Sequence, residues 1–426
     1  MPDPGPTDIQ RLVKAVATAA EHAQLPRPTK PWLPELESVY DLHDLYQRRR
    51  QSPNRRAGEL VFAIEDDPYE QEQRPVVFHP DVDGNLAVYG TGGAGKSTLL
   101  RSIAIAAGFT GGCHVYGLDL GARGVSMLED LPHVGSVIPG SEHERIVRLL
   151  RWLRVEIDER ALRYSQAHAG SLGDYRRLPG NADEPRILLL DGTRAFRQAY
   201  EVGEYGRWYE MVLGIAADGR NVGVHLVLSA DRLNAVPVAL ASEVERRVVL
   251  RMADPTDYTQ VGMAVDVLGP TLPPGRGMLD HAVIQVAVLG VRPDVNSQAA
   301  GVRRLAEAMA GAGVPAAPPI QQPADRIPLS ELPVLDGAPV LGVASDSLQP
   351  FTFQPAGSFI VCGPCGRAVP PPCGPSPRRC SAGGPIIMSC TTSGFGSPNS
   401  ARSRAGRGSL APMSSTPNTP ANWPTS

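Results

Sequence analysis

The sequence has no long apolar segment. Its longest apolar stretches, Ile187–Leu190 and Val283–Leu289, have the length of single strands, whereas a membrane-spanning helix needs about 20 residues. The N-terminus, MPDPGPTDIQ, lacks the basic and apolar segments of a signal peptide. These absences predict a cytoplasmic chain without membrane helices.

Cysteine is scarce in most of the chain. Cys113 is the only cysteine before residue 362, and we expect it to be a buried structural thiol. Cys362 and Cys365 form a CxxC pair, but no second pair follows at a metal-binding spacing. The sequence therefore does not predict a zinc site.

Acidic residues are missing from the end of the chain. Residues 365–426 contain six Arg and no Lys, Asp or Glu, so the net charge of −3 for the whole chain leaves −9 on residues 1–364. Such an acidic body does not indicate a large nucleic-acid-binding surface.

The tail, residues 365–426, is rich in Pro, Ser and Gly, which predicts disorder. One hypothesis is that it is translated out of frame, which resequencing of the gene would test.

Apolar patterns and Pro/Gly-rich breaks divide the chain into five segments. Strands alternate with helices over residues 59–292, which is typical of an α/β domain with a mainly parallel sheet. The predicted segments are an N-terminal entry segment and linker (1–58), the α/β domain (59–292), a helix and Pro/Ala/Gly-rich linker (293–327), the truncated start of a second such domain (328–364) and the tail (365–426).

Two amphipathic helices are predicted from apolar spacing. One covers Ile9–Ala23. The other begins at a capping box formed by Ser141 and Glu144 and continues to about Ala169. Residues at a spacing of about 3.6 form its predicted core face: Ile146, Leu149, Leu150, Leu153, Ile157 and Leu162.

The strongest motif is a phosphate-binding P-loop between the apolar strand Asn85–Tyr89 and a predicted helix at Ser97–Gly108. Its glycines allow backbone N–H groups to point at phosphate oxygens, and the helix start adds its positive dipole end. Lys96 would contact the β- and γ-phosphates, and the Ser97 hydroxyl would bind Mg²⁺. The predicted nucleotide-binding residues are Gly90, Thr91, Gly92, Gly93, Ala94, Gly95, Lys96, Ser97 and Thr98.

A carboxylate at the end of another apolar strand is the second candidate. Asp191 follows Ile187–Leu190, at the point where a Walker-B aspartate binds Mg²⁺. The alternative is a loop aspartate that caps the next helix. The residue after it is Gly192. Many P-loop ATPases have at this position a glutamate that activates the attacking water. Its absence predicts slow hydrolysis at most.

Other polar residues follow predicted strands at the same sheet edge. Ser229 is predicted either to sense the γ-phosphate or the attacking water, or to cap its strand. Asp119 either supports the site or caps a loop, and we favour the loop cap. His133 and His225 are predicted to be structural.

Taken together, the motifs resemble the FtsK/SpoIIIE-type ATPases, and within them the EccC ATPase of type VII secretion systems. The P-loop, Asp191-Gly192 and Ser229 carry part of this resemblance. The other matching stretches are Lys30–Leu36, Ala63–Gln71, Leu118–Gly121, Leu131–Gly135, Gly170–Tyr175, Gly223–His225 and the PGRG sequence Pro274–Gly277. The match covers about residues 30–290 and, more weakly, 328–364.

The resemblance implies a RecA-like fold, ATP and Mg²⁺ as cofactors, assembly into a ring, and coupling of ATP turnover to the export of small helical proteins. It also implies a membrane-bound ATPase subunit as partner, as in the split form of the family, so the chain would be peripheral to the cell membrane. An arginine supplied by a neighbouring subunit would complete the site. The candidates are Arg220, Arg246, Arg251 and Arg276.

Two other functions remain open on the sequence. One is a DNA translocase, because the superfamily includes DNA pumps, although no basic winged-helix module is visible and DNA is not the expected partner. The other is a nucleotide-binding structural module with negligible hydrolysis, which the glycine after Asp191 favours.

Overall fold

A computed structural model describes most of the first 324 residues and short parts of the rest. The described residues are 7–25, 33–120, 124–192, 196, 206–264, 268–269, 271–322, 324, 327–333, 335, 340–344, 348–352, 358–361 and 388–391. The chain divides into two compact units, of which the first comprises residues 1–324 with 345–347 and the second the remainder.

The first unit contains a single large sheet with helices on both faces. Its strands are β1 (Leu60–Asp67), β2 (Glu72–Phe78), β3 (Asn85–Tyr89), β4 (Cys113–Asp119), β5 (Val134–Pro139), β6 (Arg186–Gly192), β7 (Val224–Ala230), β8 (Val244–Leu250), β9 (Arg276–Leu279) and β10 (Ala282–Val286). Its described helices are α1 (Asp8–His22), α2 (Leu42–Gln51), α3 (Pro80–Asp83), α4 (Lys96–Thr110), α5 (His143–Gln166), α6 (Leu172–Arg176), α7 (Gly206–Asp218), α8 (Val238–Ala241), α9 (Thr256–Gln260) and α10 (Val295–Gly311).

The strands pair in the order β2-β1-β10-β9-β8-β3-β7-β6-β4-β5. The six strands from β8 to β5 are parallel, whereas β9, β10, β1 and β2 add an antiparallel extension next to β8. Strand β7 therefore lies between β3 and β6. The predicted α/β fold with a mainly parallel sheet is confirmed.

Alternate residues of the central strands pack into two separate cores, one on each face of the sheet. In β3, Leu86 and Val88 belong to the core beneath α4, whereas Ala87 and Tyr89 belong to the core beneath α5 and α7. A strand that is buried on both faces needs apolar side chains at every position. This explains the uninterrupted LAVY and ILLL runs of β3 and β6.

The long helix α5 differs from its prediction at both ends. It begins after Glu142, whose side chain forms no capping hydrogen bond, so the predicted capping box of Ser141 and Glu144 is absent. Leu162, predicted to face the core, is 60% exposed, whereas Ile157 one turn earlier is buried. The buried stripe continues to Tyr164 near the end of the helix, so Leu162 lies beside this stripe and not on it.

Helix α1 forms close to the predicted range, with a capping box between Thr7 and Gln10. None of its residues is buried. Its apolar side chains, including Ile9, Leu12 and Val16, are more than half exposed.

The predicted Pro/Ala/Gly-rich linker is ordered over residues 312–322 and lies along the sheet edge at β5. The Ala317 N–H donates to Pro132 O (2.8 Å), and the Tyr116 hydroxyl donates to Pro318 O (2.9 Å). Ile320 is buried, and its N–H donates to the Ser136 hydroxyl (2.9 Å). This segment is therefore part of the folded unit and not a free connection.

The second unit contains two short antiparallel strand pairs in its described part. Strand β11 (Val340–Val343) pairs with β12 (Pro350–Thr352), and β13 (Ser358–Val361) pairs with β14 (Met388–Thr391). Strands β11, β12 and the described part of β13 lie within residues 328–364, the predicted start of a second domain. Apart from β14, the tail predicted to be disordered lies outside the described residues, as do Cys362 and Cys365.

Among the described residues, no helix combines the length and apolar character needed to cross a bilayer. The longest helix, α5, has 24 residues and carries charged residues along its length.

Candidate nucleotide-binding site

The P-loop connects β3 to α4 and is held by the ends of both strands that flank β3. The Gly90 N–H donates to Ala230 O at the end of β7 (3.1 Å), and the Thr91 N–H donates to Arg251 O just beyond β8 (2.8 Å). The loop ends at Gly95, and α4 begins at Lys96. The strand-to-helix position predicted for the motif is therefore present.

Gly95 brings the P-loop into direct contact with the PGRG sequence. Its φ angle is 113°, a left-handed conformation that favours glycine. The Gly275 N–H donates to Ala94 O (2.8 Å). A Cβ atom on Gly95 would be 2.7 Å from the Gly275 nitrogen, so a side chain does not fit there.

Lys96 lies at the first position of α4 and turns back over the loop. Its ammonium group donates to Gly90 O (2.6 Å) and Thr91 O (3.0 Å). The same nitrogen is 2.8 Å from Asp231 Oδ1. Asp231 was not among the predicted site residues, although it follows Ser229 by two positions at the end of the same strand.

Ser97 and Thr98 lie beside the loop that follows β4. A Cβ atom on Gly124 would be 2.8 Å from Ser97 Oγ, which measures how closely this loop approaches the predicted magnesium ligand. Arg101 connects the two elements, because it donates to Gly124 O (2.9 Å) and Thr98 Oγ1 (3.1 Å). Burial lowers the pKa of Arg101.

Ser229, Asp191 and Asp119 all lie at the carboxyl edge of the sheet, where the P-loop begins. Ser229 is in register with Val88 of β3 on one side and with Gly192 of β6 on the other. The structure describes the Asp191 backbone, which pairs with β4 and β7. The topology therefore brings the predicted magnesium and sensor residues to one edge.

The neighbours of Gly192 and Asp119 bear on the roles predicted for these two positions. A Cβ atom on Gly192 would be 3.9 Å from Ser229 Oγ, so the position that lacks the glutamate faces the predicted sensor. The Asp119 carboxylate accepts from the Val125 N–H (3.3 Å). This is the loop-capping contact that the sequence favoured.

Arg276, one of the four arginine candidates, binds within its own chain. Its guanidinium donates to Gln285 Oε1 (3.0 Å) and to the carbonyl oxygens of Leu36 (2.8 Å) and Glu37 (3.1 Å). Burial lowers its pKa. Arg276 thus connects the PGRG sequence to the entry segment, and Lys30–Trp32 of that segment lie outside the described residues.

Arg220 and Arg246 also make contacts within the chain, at the opposite edge of the sheet from the P-loop. Arg246 donates to Asp83 Oδ2 (2.6 Å), and Arg220 pairs with Glu245. Arg251 lies beside the P-loop, where its carbonyl oxygen accepts a hydrogen bond from the Thr91 N–H. Which arginine acts on a neighbouring subunit stays a prediction.

His225 and His133 are both buried and lie away from the P-loop. His225, near the start of β7, is 3.4 Å from the Asp81 carboxylate, which also pairs with Arg186. Burial lowers the pKa of His225, and Asp81 only partly opposes this. Burial alone would raise the pKa of Asp81, but His225 and Arg186 outweigh it, so the pKa is lowered. His225 thus lies against a pair of opposite charges inside the fold, and His133 Nε2 bonds to Ala104 O (2.8 Å), which agrees with the structural role predicted for both histidines.

The FtsK/SpoIIIE family model matches residues 43–269, which is more than half of the chain. The chain belongs to the FtsK/SpoIIIE family. The matched range contains β3, the P-loop, β6 and β7, and it therefore covers the site described above.

Relatives of this family member belong to type VII secretion systems. This chain is 30% identical over 327 residues to the ESX-1 secretion system protein EccCb1 of Mycobacterium tuberculosis. The alignment covers 72% of this chain and 52% of EccCb1. It is 26% identical over 261 residues to Staphylococcus aureus EssC, covering 60% of this chain and 17% of EssC. The chain thus spans about half or less of the length of these relatives.

Solved structures of the same group share the fold. The cytoplasmic domain of the Thermomonospora curvata type VII secretion ATPase EccC superposes with a TM-score of 0.65 at 22% identity, covering 77% of this chain and 40% of that one. ATPases 2 and 3 of the same EccC, in complex with a signal sequence peptide, give a TM-score of 0.58 at 22% identity over 78% of this chain and 60% of that one. The chain is therefore an FtsK/SpoIIIE family ATPase related to EccC and EssC.

Proposed function

We propose that the chain is a Mg·ATP-binding motor subunit of a type VII protein secretion system, and that it couples ATP binding or hydrolysis to the export of small helical proteins. The observation that carries this proposal is the geometry of the P-loop, with Lys96 and Ser97 at the start of α4. The relatedness to EccCb1, a secretion system protein, supports the choice of type VII secretion.

Magnesium would be held by Ser97 and Asp191 together with the phosphates of the nucleotide. A hydroxyl and a carboxylate are oxygen ligands of the kind that Mg²⁺ prefers, and nucleotide phosphates and waters supply the rest of its shell. The exposed Ser97 hydroxyl lies in the narrow space between α4 and Gly124, so the donor available there fits this ion. When bound, the ion would neutralise phosphate charge.

Hydrolysis by this chain would be slow. Gly192 supplies no carboxylate at the position that faces Ser229. Ser229 is then the polar group between the P-loop strand and the Walker-B strand that orients the γ-phosphate or water. An arginine from a neighbouring subunit in a ring would supply the missing charge stabilisation, which is worth about 10³- to 10⁵-fold in related enzymes.

The partners would be a membrane-bound ATPase subunit and secreted helical proteins, with the chain in the cytoplasm at the membrane. The signal sequence peptide bound by an EccC relative supports a peptide substrate. A charge of −9 on residues 1–364 disfavours duplex DNA as the substrate.

The test of nucleotide binding is Lys96→Ala in the full chain, with Lys14→Ala on the exposed helix α1 as the matched control. Titration with a fluorescent ATP analogue should show binding that Lys96→Ala weakens at least tenfold and Lys14→Ala leaves unchanged, because a charged phosphate contact is lost only in the first. Absence of binding in the wild type would contradict the proposal.

The test of the motor role is phosphate release and export. Release that rises with protein concentration or with added partner ATPase, and export that stops when Lys96→Ala replaces the native copy, would support a motor. ATP binding without release under any condition would instead support a nucleotide-binding structural module. Unchanged export in the Lys96→Ala strain would count against the secretion role.

A further inference from the structure

Asp231 belongs to the nucleotide site although the P-loop motif does not include it. It directly follows β7, which lies beside the P-loop strand β3. Its carboxylate is 2.8 Å from the ammonium of Lys96. The side chain of Lys96 is 15% exposed and that of Asp231 is 40% exposed, so the pair is partly shielded from water on the lysine side.

The contacts of Lys96 use all three of its N–H donors. Two of them bind the carbonyl oxygens of Gly90 and Thr91, and the third binds Asp231. An ammonium has three donors and no acceptor. Any phosphate oxygen that binds Lys96 therefore has to replace one of these three partners.

Asp231 is the partner whose replacement matters most, because it alone carries a charge. A phosphate oxygen that bound Lys96 would lie close to this carboxylate, and two anions so close together repel each other. Resting on the nucleotide-binding function proposed above, we propose that Asp231 is an acidic gate of this site, which holds Lys96 and lowers the affinity for the nucleotide triphosphate.

The same position argues against Asp231 as a substitute for the glutamate missing at Gly192. A general base needs its oxygens directed at the attacking water. The Oδ1 atom of Asp231 is instead bound to Lys96, the residue proposed to contact phosphate. Competition for the lysine therefore fits this geometry better than activation of water.

Asp231→Asn tests the gate, because it keeps the shape of the side chain and one of its two oxygens but removes the charge. We expect its dissociation constant for Mg·ATP to fall about tenfold, the scale of one charge-assisted hydrogen bond. The charge-keeping variant Asp231→Glu should stay within about twofold of wild type. The matched control is Asp218→Asn, which removes the carboxylate of the ion pair with Arg154 (2.6 Å) at the end of α7, and which should leave the ATP affinity unchanged.

The outcomes separate this inference from the proposed function. Wild-type binding with unchanged or weaker binding by Asp231→Asn would overturn the gate and leave the nucleotide site standing. Unchanged affinity together with loss of phosphate release would assign Asp231 as a base instead and would also overturn the gate. Failure of every variant to bind ATP, with thermal stability unchanged, would remove the proposed function itself.

Discussion

The glycines of the P-loop differ in what surrounds them. Gly95 has a φ angle of 113°, and a Cβ atom there would be 2.7 Å from the nitrogen and 2.9 Å from the Cα atom of Gly275. Gly92 has no left-handed φ, and apart from Gly92 itself and its two chain neighbours no heavy atom lies within 4 Å of a Cβ atom built on it. The P-loop motif requires glycine at position 95 but leaves position 92 variable, and of these two glycines packing constrains only Gly95.

Gly95→Ala should therefore destabilise the fold, whereas Gly92→Ala should not. We expect Gly95→Ala to lower the free energy of unfolding by about 2–3 kcal/mol, because backbone strain adds to a clash with backbone atoms. Gly92→Ala should change it by less than about 0.5 kcal/mol. Thermal or urea unfolding of the two variants measures the difference. Equal stability would contradict the close contact between the P-loop and Gly275.

The segment after α10 is an element that composition describes poorly. Residues 312–322 are rich in Pro, Ala and Gly, but their backbone groups bind side chains that the fold presents along the sheet edge. Arg145 Nε donates to Ile320 O (2.7 Å), and Arg148 donates to Gln321 O. Ile320 packs into the core beneath α5. Covering an edge in this way protects it from pairing with another chain.

Ile320→Ala and Leu162→Ala form a matched pair at the scale of these elements. Ile320 lies in the predicted linker and is 7% exposed, whereas Leu162 lies on the predicted core face and is 60% exposed. We expect Ile320→Ala to lower the free energy of unfolding by about 2–3 kcal/mol and Leu162→Ala by less than about 0.5 kcal/mol. Urea unfolding of both variants checks this order. The reverse order would support the sequence-based assignment over the structure.

Three histidines, of which His225 and His133 are buried and His114 is half-buried, make the stability of the first unit depend on pH. Burial lowers the pKa of His225, His133 and His114 from the ordinary value near 6.5. Below that value the unfolded chain takes up protons that the folded chain does not bind, so stability falls as the pH falls. Asp81 acts in the same direction, but only below its ordinary pKa of 3.8.

We therefore expect the midpoint temperature of thermal unfolding to decrease between pH 7 and pH 5. Each histidine should change the free energy of unfolding by at most about 1.4 kcal/mol per pH unit. His133→Gln keeps an N–H donor for Ala104 O but does not titrate, so this slope should become smaller. Unfolding scans across this range measure both effects. An identical slope in the variant would show that His133 does not contribute.

The sequence alone predicted the features that depend on local pattern. The P-loop lies between an apolar strand and a helix, and both neighbours are visible as a run of residues in one stretch of the chain. Alternation of strands and helices predicted the parallel sheet, and parallel strands bring their carboxyl ends to one edge. For this reason the sequence pattern assigns the P-loop, Asp191 and Ser229 to one edge of the sheet.

Contacts between distant segments needed the tertiary structure. Asp231 meets Lys96 only because β7 inserts between β3 and β6, and Arg276 reaches Leu36 only because the hairpin of β9 and β10 packs beside the entry segment. Whether Leu162 or Ile320 is buried depends on which surfaces other elements cover. Local periodicity records the preference of a segment for burial, but the partner that buries it, or the charge that it meets, is decided by the assembled sheet.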